Sequence, residues 1–277
     1  MTNQQYKFSV AMSIYKSDVP ADLKTALESI VNQTLPPDEI VIVADGPIPA
    51  ELETVVKTVD YGQTQLTFLP QEVNRGLGAA LRIAVEHARY DYVARMDSDD
   101  ISLPDRFEKQ MKCFQEDSAL SIVGGMITEF VDTPDNVMGR RILPLEDKDI
   151  KEYMKSRSGL NHVTVIFKKD DLLRAGSYLP DFKQEDYYLW ARMMEAGCKF
   201  RNIPDIVVNV RSGRNQFARR GGMAYFKDVL SFNRWMKDHH LISWPRMIYN
   251  ILVRGCVQFL MPNSLRTWIY QHLLRQK

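Results

Sequence analysis

Apolar runs and amphipathic stretches alternate along the first part of the chain. FSVAMSIY, at residues 8–15, is apolar enough for a buried strand, and DLKTALESIVNQ, at 22–33, places its large apolar residues on one helical face. The alternation continues through a strand at 39–46, a helix at 49–59, a strand at 65–69, a helix at 76–88 and a strand at 90–96. Strands separated by helices of about a dozen residues are typical of βαβ units. The pattern therefore predicts an α/β fold with a mainly parallel sheet.

The pattern is looser after Asp100. It predicts a helix at 103–115, strands at 120–131, 162–167 and 206–210, and a helix at 185–197 that ends at a glycine. The polar region 132–160 predicts no element. The glycine- and arginine-rich segment 211–222 breaks the pattern, and residues 223–277 predict two or three basic amphipathic helices.

Composition limits the class of protein. The chain has 277 residues, 45% of them apolar, which is enough for one large domain with or without an appendage. Its three cysteines lie far apart and lack metal-ligand spacing, which argues against a disulfide framework or a zinc site and favours a reducing cytoplasm. The N-terminal stretch does not have the features of a secretory signal peptide.

The charge is unevenly distributed although the net charge is only +1. Residues 211–277 contain twelve Lys and Arg against two Asp, whereas residues 1–210 contain 24 basic and 33 acidic side chains. A basic C-terminal part on an acidic body favours an anionic partner, either phospholipid or nucleic acid. The acidic body and the absence of a nucleic-acid reader motif argue against nucleic acid.

Unusual chemistry follows three of the predicted strands. The first ends at Tyr15, the second at Asp45, and the strand 90–96 is followed by Asp97, Asp99 and Asp100. Taken singly, these residues have ordinary explanations as turns, packing or charges at a helix N-terminus. Because ligands bind at the carboxyl ends of strands in open α/β sheets, their convergence predicts a site.

The residue types at this edge suit a nucleoside diphosphate with a metal ion. A D-x-D pair of carboxylates fits Mg²⁺ or Mn²⁺, which bind carboxylate and phosphate oxygens together. Asp45 could accept the N–H of a pyrimidine base while Tyr15 stacks on its face. The site is therefore predicted to bind a pyrimidine nucleoside diphosphate.

The segment NRGLGAALRIA, residues 74–84, is a partial match to the dinucleotide-binding fingerprint. Leu81 stands where the third glycine is needed, and the segment does not follow the first strand, so we reject an NAD site. The two glycines instead allow a helix to begin beside the nucleotide. Arg75 and Arg82 are candidate phosphate contacts, with a solvated helix face as the alternative for Arg82.

The motif order resembles the inverting family-2 glycosyltransferases of the GT-A fold over roughly residues 6–212. The resemblance rests on Tyr15 and the segments VIVADG, NRGLGAALRIA, YVARMDSDD, NHVTVIF and QEDYYLWARMMEAG. The segment RSGRNQFARRGG and the basic tail further resemble the amylovoran-type subgroup that builds bacterial exopolysaccharide, capsule and O-antigen units. The chain departs from the family where the second strand usually ends Asp-Asp-Gly-Ser, since it has Ala44 and Pro47 around Asp45 and Gly46.

This resemblance implies a domain organisation and a donor site. It implies a catalytic domain at 1–212, with a nucleotide-binding half at 1–100 and an acceptor half at 101–212, and a C-terminal extension at 213–277. Asp45 would contact uracil, Asp97 would contact the ribose or donor sugar, and Asp99, with Asp97, would hold Mn²⁺ or Mg²⁺.

The resemblance also implies a catalytic base at the start of the helix 185–197. Inverting transfer needs one carboxylate to accept the proton of the acceptor hydroxyl and a cation to stabilise the departing diphosphate. Asp186 is the favoured base and its neighbour Glu185 the alternative, with two charges at a helix N-terminus as the ordinary explanation.

Further residues are candidates for the acceptor side and for a lid. Trp190 and Asp100 are predicted on the acceptor side, and His162 is predicted to have a buried or acceptor-side hydrogen-bonding role rather than to bind a metal. Arg211 and Arg214 could close over the pyrophosphate, and an ordinary solvated loop is the alternative.

The segment 243–261 is apolar but contains Arg246, Arg254 and Gly255, which argue against a membrane-spanning helix. An interfacial helix is the sharper hypothesis, and packing on the catalytic body or in a dimer is the alternative.

Together with the site residues, the resemblance implies a metal-dependent, inverting transfer of a hexose, galactose or glucose, from a UDP-sugar to a lipid-linked saccharide on undecaprenyl diphosphate. The protein would work in bacterial surface polysaccharide synthesis, in the cytoplasm and peripherally on the inner face of the membrane. It would be non-processive, because a Q-x-x-R-W motif is missing. A dTDP-sugar donor and the oligomeric state stay open. The alternatives are a nucleotidyltransferase, against which the glycine-free SIYKSDVP counts, and a non-catalytic binding module.

Overall fold

The computed structural model describes residues 6–179, 184–212 and 223–255. Its strands are β1 (Phe8–Ile14), β2 (Glu39–Ala44), β3 (Gln65–Pro70), β4 (Tyr92–Met96), β5 (Ile101–Ser102), β6 (Ile122–Phe130), β7 (Val137–Arg141), β8 (Ile166–Lys168) and β9 (Phe200–Arg211). Its helices are α1 (Pro20–Val31), α2 (Ala50–Thr58), α3 (Leu77–His87), α4 (Arg106–Glu116), α5 (Asp147–Met154), α6 (Lys169–Arg174), α7 (Glu185–Glu195), α8 (Met223–Asp238) and α9 (Trp244–Gly255).

In the described ranges, the strands form one mixed sheet in the order β3-β2-β1-β4-β8-β6-β9-β5, with β7 beside β6. Strands β3, β2, β1 and β4 are adjacent in this order and all parallel. Ser9 of β1 lies opposite Glu39 of β2 on one side and opposite Val93 of β4 on the other. The strand β8 runs antiparallel to β4 and β6, and β6 runs parallel to β9. The predicted α/β class with a mainly parallel sheet is confirmed.

Both faces of the sheet are covered, which explains why its strands are continuous apolar runs. On one face, Val10 of β1 and Ile42 of β2 pack with Leu23 of α1. On the other, Val41 of β2 packs with Leu81 of α3. The helices therefore fix the sheet from both sides and leave the carboxyl ends of β1, β2 and β4 free to form a site.

The strand predicted at 162–167 is wrong in its first half. His162–Thr164 form a 3₁₀ turn, and only the later residues enter β8. Side chains hold this turn: Asn161 Nδ2 donates to the carbonyl oxygen of Gly125 (2.8 Å), and Thr164 Oγ1 accepts the N–H of Gly125 (3.0 Å) and donates to the carbonyl of Asn161 (2.8 Å). These bonds replace strand pairing at the start of the segment.

Two further differences concern the second half of the sheet. The polar region 132–160 contains β7 and α5, neither of which the pattern predicts. The last strand is longer than 206–210, since β9 begins at Phe200 and includes Pro204 where its pairing with β6 shifts register. A strand can contain proline at such an irregularity because its missing N–H leaves no gap in the ladder.

The helices α8 and α9 pack on the body. Phe232 and Trp235 of α8 contact Tyr187 and Tyr188 of α7, with ring centroids 4.5 and 4.8 Å apart. From α9, Asn250 Nδ2 donates to the carbonyl oxygen of Lys155 at 2.8 Å. Within the part of the chain that the structure describes, no helix is both long and apolar enough to cross a bilayer. The domain boundary at residue 212 stays a prediction.

Candidate active site

A cleft of about 440 Å³ lies at the carboxyl ends of β1, β2 and β4. Its walls contain five carboxylates among other polar groups. The lining residues are Ser13, Tyr15, Ser17, Asp18, Val19, Asp22, Asp45, Asn74, Gly76, Leu77, Asp97, Ser98 and Asp99. The structure thus brings together Tyr15, Asp45, Asp97 and Asp99, which the sequence predicts at one edge of the sheet.

Asp45 holds the turn that precedes α3. Its Oδ1 accepts the backbone N–H of Arg75 at 2.7 Å, and its Oδ2 accepts that of Gly76 at 2.9 Å. Gly76 has φ 89°, a conformation that favours glycine. At Gly46 a Cβ would lie 2.7 Å from the backbone nitrogen of Asn74, so only glycine fits beside this turn. Each carboxylate oxygen of Asp45 has a second lone pair, so the side chain can still accept an N–H from a ligand.

Asp97, Asp99 and Asp100 form a cluster in which one oxygen from each lies within 4.8 Å of the others. Burial raises the pKa of Asp99 to about 6, and the charges of Asp97 and Asp18 add to this rise. Burial, followed by the charges of Asp97 and Asp99, also raises the pKa of Asp100. Three oxygen ligands that repel one another fit a hard divalent cation, which would relieve the repulsion.

Arg95 is a member of the site that the sequence analysis did not identify. It is only 3% exposed, and its Nη1 donates to Oδ2 of Asp97 at 2.5 Å. The signal was present, because an arginine interrupts an otherwise apolar strand. A buried guanidinium must be paired, so Arg95 fixes the Asp97 carboxylate and offsets part of the negative charge of the cluster.

Arg106, at the start of α4, is a second buried arginine, and it binds the backbone of β4. Its Nη2 donates to the carbonyl oxygen of Arg95 at 2.8 Å, and its Nε donates to Oε1 of Gln110 at 3.1 Å. Burial, together with the charge of Arg95, lowers the pKa of Arg106 to about 9. This arginine therefore holds the strand that carries the carboxylate cluster.

Asp100 does not lie where the acceptor-side prediction requires. It is 2% exposed, and its Oδ1 accepts the backbone N–H of Arg211 at 2.8 Å. It is instead a buried member of the carboxylate cluster that ties the β4–β5 connection to the end of β9.

The side chain of Arg211 is already held at the edge of the cleft. Its Nη2 lies 2.9 Å from Oδ1 of Asp22, and its Nε and Nη1 donate to the carbonyl oxygens of Asp99 (3.2 Å) and Asp132 (3.1 Å). The guanidinium also lies 4.9 Å from the ring centroid of Phe130. In this conformation the N–H groups of Arg211 bind residues at the edge of the cleft, so they are not positioned as a lid over it. The second predicted lid residue, Arg214, lies outside the described residues.

Glu185 and Asp186 begin α7, and both are partly buried. Burial raises the pKa of Glu185 to about 7, and the neighbouring charges of Asp186 and Asp97 add to the rise. A Cβ on Gly78 would lie 3.5 Å from Cβ of Glu185. Because Gly78 follows Leu77 of the cleft wall, the carboxylate pair is close to the cleft.

The two arginines of the segment 74–84 differ in their roles. The backbone N–H of Arg75 is bound to Asp45, and its side chain is exposed. Nε of Arg82 lies 2.8 Å from Oε1 of Glu86, one turn further along α3, and Arg82 does not line the cleft. Its surroundings are those of a solvated helix face, the alternative that the sequence left open.

His162 and Trp190 occupy different environments. Nε2 of His162 lies 2.9 Å from Oη of Tyr178, and burial, together with the charge of Arg95, lowers the pKa of His162 well below its ordinary value. Trp190 is fully buried, with its ring centroid 5.8 Å from that of His162. A ring with no exposed surface cannot contact an acceptor directly, so the acceptor-side prediction for Trp190 requires correction to a packing role beneath His162.

The comparison with protein families matches residues 9–174 to the model "Glycosyl transferase family 2". This chain belongs to glycosyl transferase family 2. It is 36% identical over 264 residues to the amylovoran biosynthesis glycosyltransferase AmsE of Erwinia amylovora, covering 95% of this chain and 98% of AmsE. It is 34% identical over 278 residues to the UDP-Gal:alpha-D-GlcNAc-diphosphoundecaprenol beta-1,3-galactosyltransferase of Escherichia coli, covering 100% and 99% of the two chains.

The fold of this glycosyltransferase is similar to that of solved relatives. The S. aureus TarS fragment 1–349, in a crystal structure with UDP-GlcNAc, aligns with a TM-score of 0.67 and 16% identity, covering 96% of this chain and 79% of the fragment. The predicted family, glycosyltransferase activity and GT-A fold are confirmed.

Two carboxylates of this glycosyltransferase's cleft, Asp18 and Asp22, were also missed. Oδ2 of Asp18 accepts the backbone N–H of Tyr15 at 3.0 Å, and burial raises the pKa of Asp18. Asp18 lies in the β1–α1 connection and Asp22 in the first turn of α1, where the sequence suggests only a helix start. Their proximity to Asp97 and Asp99 depends on the packing of β1 beside β4.

Proposed function

We propose that this family-2 glycosyltransferase moves a hexose, galactose or glucose, from a UDP-sugar to a hydroxyl of a lipid-linked saccharide, with inversion at the anomeric carbon. The observation that carries the proposal is a cleft that is lined by the exposed ring of Tyr15, by Asp45 and by Asp97 and Asp99 of the carboxylate cluster. The name of the E. coli relative specifies UDP-Gal and a diphosphoundecaprenol-linked GlcNAc, and a TarS structure contains UDP-GlcNAc. These names support the donor and acceptor classes.

The nucleoside would bind between Tyr15 and Asp45. The ring of Tyr15 is 41% exposed and borders the cleft, so it is free to stack on a base. The free lone pairs of Asp45 would accept the imide N–H of uracil. Thymine presents the same N–H, so a dTDP-sugar is the competing donor.

The carboxylate cluster would hold Mn²⁺ or Mg²⁺ through Asp99, with Asp97 and Asp100 completing the negative site. When bound, the cation would stabilise the charge that develops on the leaving diphosphate. Arg95 pairs with both carboxylate oxygens of Asp97, through Nη1 and Nη2, so it orients this carboxylate and limits the repulsion around the site.

The base would come from the carboxylate pair that begins α7. We assign Asp186 as the base that accepts the proton of the acceptor hydroxyl as its oxygen attacks the anomeric carbon. Glu185 is the alternative, supported by its position beside the first turn of α3 and by its pKa of about 7, close to the range in which a general base is most effective. His162, which is partly exposed, would line the acceptor side.

The remaining features belong to the same proposal. The enzyme would add one sugar at a time in surface polysaccharide synthesis, with residues 1–212 as the catalytic domain and 213–277 as an extension. It would work peripherally on the cytoplasmic face of the membrane, where a lipid-linked acceptor is accessible. The family assignment favours this transferase over a nucleotidyltransferase or a non-catalytic binding module.

A donor panel tests the proposal. The protein is incubated with Mn²⁺, a GlcNAc-diphosphate-lipid acceptor, and UDP-Gal, UDP-Glc, UDP-GlcNAc or dTDP-Glc, and release of the nucleoside diphosphate is measured. We expect UDP release from a UDP-hexose that depends on both acceptor and metal. Release from none of the four donors, or release that does not depend on the acceptor, would contradict the proposal.

A further inference from the structure

The outward face of α9 consists only of apolar and aromatic side chains. Its exposed residues are Trp244, Pro245, Ile248, Tyr249, Leu252 and Val253. Leu252 is 61% exposed and Trp244 59%. In contrast, α4 exposes charged and amide side chains on its solvent face, among them Glu108, Lys112 and Glu116. A helix whose solvent face contains no charged residue is unusual for a soluble surface, where a large apolar patch marks an interaction site.

The inner face of α9 fixes this orientation. Met247 and Asn250 are buried, and Asn250 Nδ2 donates both to the carbonyl oxygen of Lys155 and to Oδ1 of Asn233 on α8, at 2.8 and 2.9 Å. Nη2 of Arg246 lies 3.1 Å from Oε1 of Glu152 on α5. Because these contacts hold one side of the helix to the body, the apolar side is presented outward as a fixed surface.

The helix α9 contributes positive charge, because it contains Arg246 and Arg254 and no acidic residue. Nζ of Lys237 lies 4.8 Å from the ring centroid of Trp244. Lys237 and Arg246 also have acidic partners, Asp238 and Glu152. Residues 223–277 contain eight Lys and Arg against two Asp. Trp and Tyr on an apolar face, with basic residues beside it, are the composition of a helix that lies in the interface of an anionic bilayer.

We propose that the outward face of α9 docks on an anionic lipid surface and holds the enzyme there with the helix parallel to the membrane plane. The helix spans roughly 18 Å, which is too short to cross the hydrocarbon core. A second copy of the chain is the less favourable occupant, because a symmetric contact would bring the same arginines together. This inference deepens the proposed function, on whose lipid-linked acceptor its purpose rests.

Vesicle sedimentation tests the inference with the full-length protein. Wild-type protein, the double variant Ile248→Asp/Leu252→Asp and the control Val137→Asp/Met138→Asp are mixed with phosphatidylglycerol-containing or pure phosphatidylcholine vesicles. Val137 and Met138 lie on β7 and are each 46% exposed, so the control adds the same two charges at exposed apolar positions elsewhere. We expect the wild-type and control proteins to bind the anionic vesicles. The affinity of the double variant for these vesicles should be lower by about tenfold or more.

Two outcomes would overturn the proposal: equal sedimentation of the double variant and the wild type, or a wild-type dimer that the double substitution dissociates without any vesicle binding. Equal binding to both kinds of vesicle would overturn the requirement for anionic lipid. Transfer to a water-soluble, short-chain acceptor is measured in parallel. Because that assay needs no membrane, failed docking with intact transfer contradicts only this inference, whereas absent transfer with intact docking contradicts only the proposed function.

Discussion

Gly78 of α3 lies so close to the carbonyl oxygen of Leu179 that an added side-chain atom would crowd it. A Cβ at position 78 would lie 3.0 Å from the carbonyl oxygen of Leu179 and 3.5 Å from Cβ of Glu185. Asp45 holds the turn immediately before α3 through the N–H of Gly76. The first turn of α3 therefore connects Asp45, the proposed contact to uracil, with the carboxylate pair that begins α7.

This packing predicts that Gly78→Ala lowers the turnover number more than it changes the KM for the donor. The added methyl group requires the carbonyl of Leu179 to move by a few tenths of an ångström, and it makes an ordinary contact with Glu185. Because Leu179 precedes Glu185 by only six residues, we expect this shift to misplace the carboxylates of α7 while leaving Asp45 in position. We expect a roughly tenfold lower kcat in steady-state kinetics. Gly255→Ala is the control, since its Cβ would make only an ordinary contact of 3.5 Å with Phe226. An unchanged kcat in Gly78→Ala would show that the packing has no part in catalysis.

Exchange of the proposed base separates binding from chemistry. Asp186→Asn should reduce transfer by roughly 10²–10⁴-fold, the usual contribution of general base catalysis, and leave UDP affinity in calorimetry unchanged. Glu185→Gln is the matched control on the adjacent residue and should lose much less activity. If the two variants show the reverse order, Glu185 is the base and the assignment of Asp186 is wrong.

The stability of the protein should depend on pH through Glu185. Its pKa is raised from 4.5 to about 7 in the folded protein, so the folded state binds more protons than the unfolded state between these values. The stability that this difference provides is fully present below pH 4.5 and is lost as the pH rises towards 7. Urea unfolding at pH 5 and pH 8 should show a smaller loss of stability in Glu185→Gln than in the wild type. An identical pH dependence in both proteins would refute the raised pKa.

Removal of Arg95 should lower the stability of the metal-free protein and increase the stabilisation that Mn²⁺ provides. Arg95→Met leaves Asp97 without its guanidinium partner, so the carboxylate cluster repels itself more strongly. We expect a lower melting temperature without metal, and a larger increase on addition of Mn²⁺ than in the wild type, because binding to the folded state stabilises it. Arg82→Met, which removes an exposed ion pair with Glu86, should change neither value much. An equal Mn²⁺ response in wild-type and Arg95→Met proteins would argue against a cation at this cluster.

Much of the nucleotide-binding half could be predicted because its information is local. A strand buried on both faces is a continuous apolar run, and its first polar residues mark the edge where Tyr15, Asp45 and Asp97 meet. The order of the apolar runs is sufficient to place these strands in one parallel sheet.

The remaining features depend on contacts between distant parts of the chain. Asp100 is buried because β9 returns a backbone N–H to it from Arg211, 111 residues later. The 3₁₀ turn at His162 depends on the carbonyl of Gly125 in β6, which Asn161 binds. Trp190 faces the core because of the way α7 packs on the sheet, and the spacing of sequence motifs does not reveal this packing.

We propose that a divalent cation joins the carboxylate cluster to the diphosphate of the donor. A crystal grown with UDP and Mn²⁺ and measured at the manganese absorption edge would locate this cation. We expect one anomalous peak within coordination distance of the Asp99 carboxylate and of both phosphate groups, with uracil between Tyr15 and Asp45. A structure with UDP bound in the cleft and no manganese at Asp99, or with manganese only elsewhere, would contradict it.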